Sequence, residues 1–247
     1  MILESCENRQ VIKISGSDRE SFLSGLITND ISNGLTYSAL LTPQGKYLSD
    51  FFLIRGDDDI LIDIDESLSE ALVSRLLMYK LRADVSISAI DLPVSIGQGA
   101  IPDGAFEDPR HPSLGWRLYS VKGGVPITDW NQLYVDACIP RSGVELLPNE
   151  TYILEAGFEK LSGVNFKKGC FVGQEVTARM KHKTKLKKGF LTVNIRGTAP
   201  IGTEIISNER ICGTLFSQGG GRAIAYLRYD KMSKSMKASN AILTLIV

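Results

Sequence analysis

The chain has 247 residues, 43% of them hydrophobic and 23% charged, enough apolar material for one large domain or two to three small ones. Its 28 basic and 28 acidic side chains cancel, which excludes a global field attracting nucleic acid but leaves a local patch open. No apolar run approaches the roughly 18 residues that cross a bilayer, and Met1-Ile2-Leu3-Glu4-Ser5 has neither a basic region nor a long apolar stretch, so no secretory signal is expected.

Val11-Ile12-Lys13-Ile14 reads as a short strand. Ser17-Asp18-Arg19-Glu20 has the spacing of a capping box, and Phe22, Leu23 and Leu26 then give a short helix its apolar stripe. Thr42-Pro43-Gln44-Gly45 is a turn. Strands are expected over 47–55 and 60–64, joined by a hairpin loop at Gly56-Asp57-Asp58-Asp59. Leu68, Leu72, Leu76 and Tyr79 recur at helical spacing within 66–82, and 84–90 reads as a further strand. Prolines and glycines crowd 93–115, which reads as loop or boundary, and 124–147 reads as irregular. Residues 151–161 read as helical, weakened by Gly157. From Leu186 the texture changes. Strand candidates at 189–195, 203–206, 211–216, 223–227 and 241–247, separated by glycine-rich turns, predict a small β-barrel. Trp116 and Trp130 are expected in packing roles.

Four cysteines stand at 6, 138, 170 and 212, none in a Cys-x-x-Cys pair. The two histidines, His111 and His182, lie far from most of them, so neither a built-in metal site nor a disulfide framework is indicated. The expectation is a reducing, cytoplasmic compartment.

The densest chemistry lies in 163–182. Cys170 stands between Gly169 and Gly173, and a helix can start near Gly173 and run through Val176 and Met180. The partial positive charge of a helix start, with Lys167 and Lys168 beside it, favours thiolate over thiol. Against this stands a buried cysteine acting as a small hydrophobe, which local sequence alone does not overturn.

Lys168-Gly169-Cys170-Phe171-Val172-Gly173-Gln174-Glu175 resembles the K-G-C-[YF]-x-G-Q-E signature of the folate-binding YgfZ family, relatives of the glycine-cleavage T-protein. Phe22-Leu23-Ser24-Gly25-Leu26-Ile27-Thr28-Asn29-Asp30 resembles that family's first helix and turn. Thr42-Pro43-Gln44-Gly45-Lys46 resembles its hairpin, Leu81 to Val85 matches loosely, and Arg179-Met180-Lys181-His182 continues the signature.

The resemblance implies an α+β fold of T-protein type. That is a multi-part ring of two interleaved α+β domains and a C-terminal β-barrel around an opening that binds tetrahydrofolate. The implied division is a folate-binding region over 1–185, made of 1–48 with 93–185 and of 49–92, followed by a barrel over 186–247. It implies an accessory protein that supports assembly or repair of iron–sulfur clusters in client enzymes, tRNA-modifying ones included, through Cys170; mitochondrial members act late in [4Fe–4S] maturation. Folate, client enzymes and assembly proteins are the implied partners, with no membrane, no direct nucleic acid and a monomeric chain.

The expected folate contacts are Asn29, Asp30, Gln44, Lys46, Glu155, Lys168, Gly169, Gly173, Gln174, Glu175 and Arg179, lining a cleft with Cys170 at its mouth. Leu154-Glu155-Ala156-Gly157 resembles the T-protein segment whose glutamate grips the pterin, a role a carboxylate fits by accepting paired N–H donors. Other readings stand beside these: a capped turn for Asn29 and Asp30, an exposed helix residue for Glu155, and a solvated face for the basic run Arg179 to Lys188. The T-protein's acidic doublet is reduced here to Asp50 alone, which counts against the alternative of a folate-dependent aminomethyl or one-carbon transferase.

Overall fold

The computed structural model describes residues 2–183 and 185–246. Strands β1 (Ile2–Ser5) and β2 (Arg9–Ser15) lead to the short helix α1 (Arg19–Ser24). Then come β3 (Leu35–Leu41), β4 (Tyr47–Arg55), β5 (Asp59–Asp65), helix α2 (Glu66–Lys80) and β6 (Ser86–Ile90). Five of these strands form an antiparallel sheet in the order β3-β4-β5-β2-β6. Strand β4 is buried on both faces, so its alternating side chains feed two cores. Phe51 and Leu53 join Ile12, Ile62, Leu23, Leu72 and Leu76 under the helices. Phe52 and Tyr47 join Tyr37, Ile139, Phe158 and Phe171 on the opposite side.

The start of α1 differs from the expected capping box. Asp18 is the N-cap residue but makes no side-chain cap. Instead Ser17 donates to Asp84 Oδ2 (2.8 Å), and Asp18 Oδ2 accepts from the Asp84 amide (2.8 Å). Those side chains fasten the helix to the segment before β6, a contact that local spacing does not show. Helix α2 follows its predicted stripe and is capped by Asp65, which accepts from the Ser67 amide (3.0 Å).

Residues 93–115 are not all loop. β7 (Ser95–Gln98), β8 (Phe106–Glu107) and β9 (Trp116–Leu118) form a second sheet with β1, in the order β1-β7-β9-β8. Its pairing joins the two ends of a long excursion, so no local alternation announces it. Trp116 is fully buried there. The segment 124–147 contains helix α3 (Trp130–Asp136), N-capped by Asp129, which accepts from the Gln132 amide (2.9 Å). By contrast, 151–161 is a run of turns rather than a helix, with Gly157 at φ +76° interrupting any helical path.

Helix α4 (Gln174–Lys183) precedes the barrel. β10 (Lys188–Arg196), β11 (Glu204–Ser207), β12 (Arg210–Gly219), β13 (Arg222–Arg228), β14 (Ser235–Ala238) and β15 (Ala241–Leu245) close in the order β10-β13-β12-β11-β14-β15. Strand β14 gives Met236 and Ala238 to the barrel core and is too short to be visible as a strand in the sequence. Val247, the last residue of the strand expected over 241–247, lies outside the described residues. The barrel docks through α3, with Val135 against Phe216 and Ile224. A backbone bond from the Phe190 amide to the Glu155 carbonyl (3.0 Å) adds to this joint. No described helix is long and apolar enough to cross a membrane.

Candidate functional site

The segment before α4 is fixed to the five-stranded sheet at several points. Gly163 lies where a Cβ would meet Phe158 Cδ1 at 2.6 Å and Tyr37 Cδ1 at 3.0 Å, so only glycine lets the chain cross these rings. Its carbonyl accepts from buried Thr28 Oγ1 (2.7 Å). The Asn165 amide donates to the Thr28 carbonyl (3.0 Å), and Asn165 Nδ2 donates to Asp30 Oδ2 (2.7 Å). Asn29 Nδ2 donates to the carbonyls of Tyr37 (2.9 Å) and Ser162 (2.7 Å). Asn29 and Asp30 thus tie the turn after α1 to the segment that leads to Cys170.

Lys168 is buried. Its ammonium donates to the carbonyls of Ser24 (2.8 Å) and Ile27 (2.6 Å), groups left open where α1 ends. Burial lowers its pKa to about 8, opposed by the nearby Asp30 carboxylate. Its charge therefore points at the α1 end, and Lys167 is the exposed cation of the pair. Gly169 and Cys170 are exposed, whereas Phe171 returns to the core. Gln174 Nε2 donates to the Gly169 carbonyl (3.4 Å), and Glu175 and Arg179 face solvent along α4.

The far side of this loop meets the 42–46 hairpin. Gly173 has φ +84°, and a Cβ on it would stand 2.6 Å from the Thr42 carbonyl oxygen and 3.1 Å from Gly45 Cα. Gln44 is exposed at the hairpin tip. Lys46 Nζ donates to the Glu150 carbonyl (2.7 Å) and lies 3.6 Å from the Tyr152 ring centroid. The hairpin and the Cys170 loop are brought together, but Lys46 turns toward 150–152.

Glu155 lies elsewhere, at the barrel joint. Its carboxylate accepts from Tyr226 OH and lies 3.8 Å from Lys188 Nζ. Burial and that same carboxylate push the Tyr226 hydroxyl well above its ordinary pKa.

A cavity of about 340 Å³ opens between the sheets. Arg9, Asp50, Phe52, Arg110, Arg117 and Arg141 line it, with Tyr134 and Cys6. Asn29, Asp30, Gln44, Lys46, Glu155 and Cys170 are not part of its lining. Asp63 is fully buried behind it and binds Arg9 Nε (2.6 Å), Arg117 Nη2 (2.7 Å) and Tyr119 OH (2.8 Å). Burial pushes the Asp63 pKa up, but the two guanidiniums outweigh it and hold the carboxyl below its ordinary value. Asp108 holds Arg110 (2.7 Å) in the same way. The three guanidiniums of Arg9, Arg110 and Arg117 stand 4.2–5.9 Å from the Phe52 ring centroid. Asp50 accepts from Tyr37 OH (2.9 Å), Tyr47 OH (2.6 Å) and Ser142 Oγ (2.6 Å). Arg141 Nε is buried without a hydrogen-bond partner among the described residues. None of these arginines sits in a motif; Arg110 falls in the segment read as loop or boundary, Arg141 in the one read as irregular, and Arg9 and Arg117 in stretches given no reading.

Among the described residues no group of three or more His, Cys, Asp or Glu is placed to hold a metal ion.

Residues 187–247 match the family described as CAF17, C-terminal beta-barrel domain. Over 237 residues the chain is 28% identical to the mitochondrial iron-sulfur cluster assembly factor IBA57 of Mus musculus, a match covering 78% of this chain and 66% of that protein. It is 27% identical to the mitochondrial IBA57 homolog of Mycosarcoma maydis, covering 80% of this chain and 59% of that protein. The human protein of the same name is 25% identical over 92% of this chain and 77% of its own length. The chain thus spans just under two thirds of the mouse relative and less of the fungal one.

The solved structure of glycine cleavage system aminomethyltransferase T from Bartonella henselae superposes with TM-score 0.79 at 14% identity, over 99% of this chain and 84% of that one. The fold is therefore of the T-protein type, mixed α+β with a closed six-stranded C-terminal barrel. The relatives named are IBA57 proteins rather than YgfZ. The expected cytoplasmic compartment is corrected by these names, which are mitochondrial. Free thiols mark any reducing compartment, so cysteine usage could not separate the two.

Proposed function

We propose that this protein is an accessory factor for iron–sulfur cluster assembly that works through Cys170. The observation that carries the reading is an exposed thiol on a loop held at both ends, by the Lys168 ammonium on one side and by the Gly45–Gly173 contact on the other. A thiolate is a good ligand for iron. Holding its backbone still while leaving it exposed suits brief ligation of a cluster that is cargo rather than a resident group. A single thiolate is one ligand, so the others belong to the protein being served. The relatives' names, all of assembly factors, support the same reading. The clients proposed are cluster enzymes of the kind the YgfZ resemblance implies, those that modify tRNA among them.

Folate is proposed as a ligand of the 340 Å³ cavity, which lies at the small end of the range for ligand pockets. The donor set fits an anionic, flat molecule. Arg110 and Arg141 would meet the carboxylates of the glutamate tail, and the unpartnered Arg141 Nε leaves a donor to be satisfied. Half-buried Tyr134 offers its ring to the pterin, and Asp50 a carboxylate to its N–H groups. Bound folate would supply one-carbon chemistry. Aminomethyl transfer by this chain is disfavoured because Asp50, which stands alone where the T-protein has an acidic doublet, already receives three hydroxyls.

The test is a cell lacking the protein, supplied with wild type or Cys170→Ser and assayed for several [4Fe–4S] enzymes. The serine variant should fold and bind tetrahydrofolate in titration yet fail to restore those activities. Full restoration by the serine variant would remove Cys170 from the function.

A further inference from the structure

Although the whole chain is neutral, residues 159–188 hold nine basic side chains and two acidic ones, leaving the remainder with nineteen basic against twenty-six acidic. The fold gathers this excess beside Cys170. Cys170 lies just before the N-terminal end of α4, joined to it by the Gln174 to Gly169 bond. The chain before the thiol folds back along the helix, so that Phe166 packs near its last turn. The His182 ring is 6.1 Å and the Lys181 ammonium 5.6 Å from the Phe166 ring centroid. Lys167, next to Phe166, and the last-turn cations Lys181 and Lys183 therefore border one face, which starts from the Cys170 loop and runs the roughly 15 Å of α4.

Little on that face neutralises them. Lys181 is bound to Glu159, and Lys188 lies 3.8 Å from Glu155. Lys160, Lys167, Arg179, Lys183, Lys185 and Lys187 are all solvent-exposed or nearly so, and none has a carboxylate within 4.0 Å among the described residues. Two exposed acids remain near the thiol: Glu175 in the first turn of α4, and Asp30, which accepts from Asn165 and lies near Lys168.

We propose that this face is a docking surface for an acidic protein, which it orients toward Cys170. The proposal rests on the reading of Cys170 given above and names the chemistry of the partner. Charge complementarity raises encounter rates and fixes register more than it adds affinity. That suits a partner which must present a reactive group to one thiol and then leave. Protein is favoured over nucleic acid because the face lacks a stacking platform: its aromatic, Phe166, is half-buried and already covered by His182 and Lys181.

The test uses the full chain and two synthetic peptides, one rich in glutamate and one neutral. Each carries a cysteine activated as its thionitrobenzoate disulfide. The Cys170 thiolate attacks the peptide sulfur, a mixed peptide–Cys170 disulfide forms and thionitrobenzoate leaves, which is read by absorbance. Cys170→Ser provides the background from other thiols. The acidic peptide is expected to react roughly tenfold faster or more at low salt. The advantage should fade as salt is raised toward about 0.5 M. It should also vanish in Lys183→Glu/Lys185→Glu/Lys187→Glu and shrink in Lys160→Glu/Lys167→Glu, while Asp57→Lys/Asp58→Lys on the β4–β5 turn leaves it intact. Equal rates for the two peptides, or an advantage that survives both sets of reversals, would overturn the proposal. So would tighter binding of a single-stranded RNA of equal charge than of the acidic peptide, measured by anisotropy. The reaction reads the surface alone, so its outcome is independent of whether Cys170→Ser supports client enzymes.

Discussion

Gly173 and Gly45 meet backbone to backbone: a Cβ on Gly173 would lie 3.1 Å from Gly45 Cα and 2.6 Å from the Thr42 carbonyl oxygen. Both residues have positive φ, +84° and +74°. The contact joins the hairpin between β3 and β4 to the start of α4, and so sets where the loop carrying Cys170 ends. Gly173→Ala must strain φ and push the hairpin away. A loss of roughly 1–3 kcal/mol is expected, read as a lowered thermal midpoint. Gly169→Ala is the control, since a Cβ there meets nothing within 4 Å; it should leave the midpoint nearly unchanged.

The four free thiols should label in an order set by burial. Cys170 is exposed, Cys6 and Cys138 are partly buried, and Cys212 is in the barrel core beside Met236. Burial also pushes the thiols of Cys138 and Cys212 above their ordinary pKa, which lowers their thiolate fraction. Brief treatment with iodoacetamide followed by peptide mass analysis should find Cys170 modified first and Cys212 only after unfolding. Early labelling of Cys212 would contradict the closed barrel.

Lys168 gives stability a signature in alkaline solution. Its folded pKa, about 8, lies below the ordinary 10.5, because burial outweighs the help of Asp30. Between those values the unfolded chain holds the proton and the folded chain has released it, so stability from this group rises with pH across that window. Below pH 8 both states are charged and the cost of burying the charge is fully present. Denaturant titrations from pH 7.5 to 10 should show this rise in wild type and its absence in Lys168→Met. Identical pH profiles for the two proteins would show that the ammonium is not buried as described.

The opposite sign belongs to Asp63. Arg9 and Arg117 keep its folded pKa below the ordinary 3.8 despite full burial. Its contribution is therefore present above about 3.8 and is lost as pH falls through the folded value. Asp63→Ala removes the shared partner of two buried guanidiniums and is expected to cost roughly 3–5 kcal/mol, measured by urea unfolding at neutral pH. Because Arg9 and Arg117 line the cavity, the same variant should weaken tetrahydrofolate binding. A variant of near wild-type stability would mean that the arginines find other partners.

Strong local signals carried much of this protein. The apolar run along 47–55, the stripe Leu68–Leu72–Leu76 and the glycine-punctuated strands after Leu186 each specify an element within a short window, because hydrophobic patterning and turn chemistry are local properties. The loop of interest was marked by the resemblance of 168–175 to a family signature, not by a local property alone. The second sheet was hidden, since β1 pairs with β7 across most of a hundred residues and its strands lie among prolines and glycines. Residues 151–161 read as helical, weakened by Gly157, and only the packing shows the positive φ at that glycine which breaks the segment into turns.

By itself the sequence determined the barrel, the helices with clear stripes, Cys170 as the thiol to examine and the basic run Arg179 to Lys188. Only the tertiary structure decided the rest. It set the Lys168 ammonium on the end of α1, and it gave Glu155 to Tyr226 at the barrel joint. It also collected Arg9, Arg110, Arg117 and Arg141 from distant segments around one cavity. The physical reason is that a buried charge must find its partner in space, and along the chain Asp63 stands far from both Arg9 and Arg117, so no window of sequence contains the bond that fixes them.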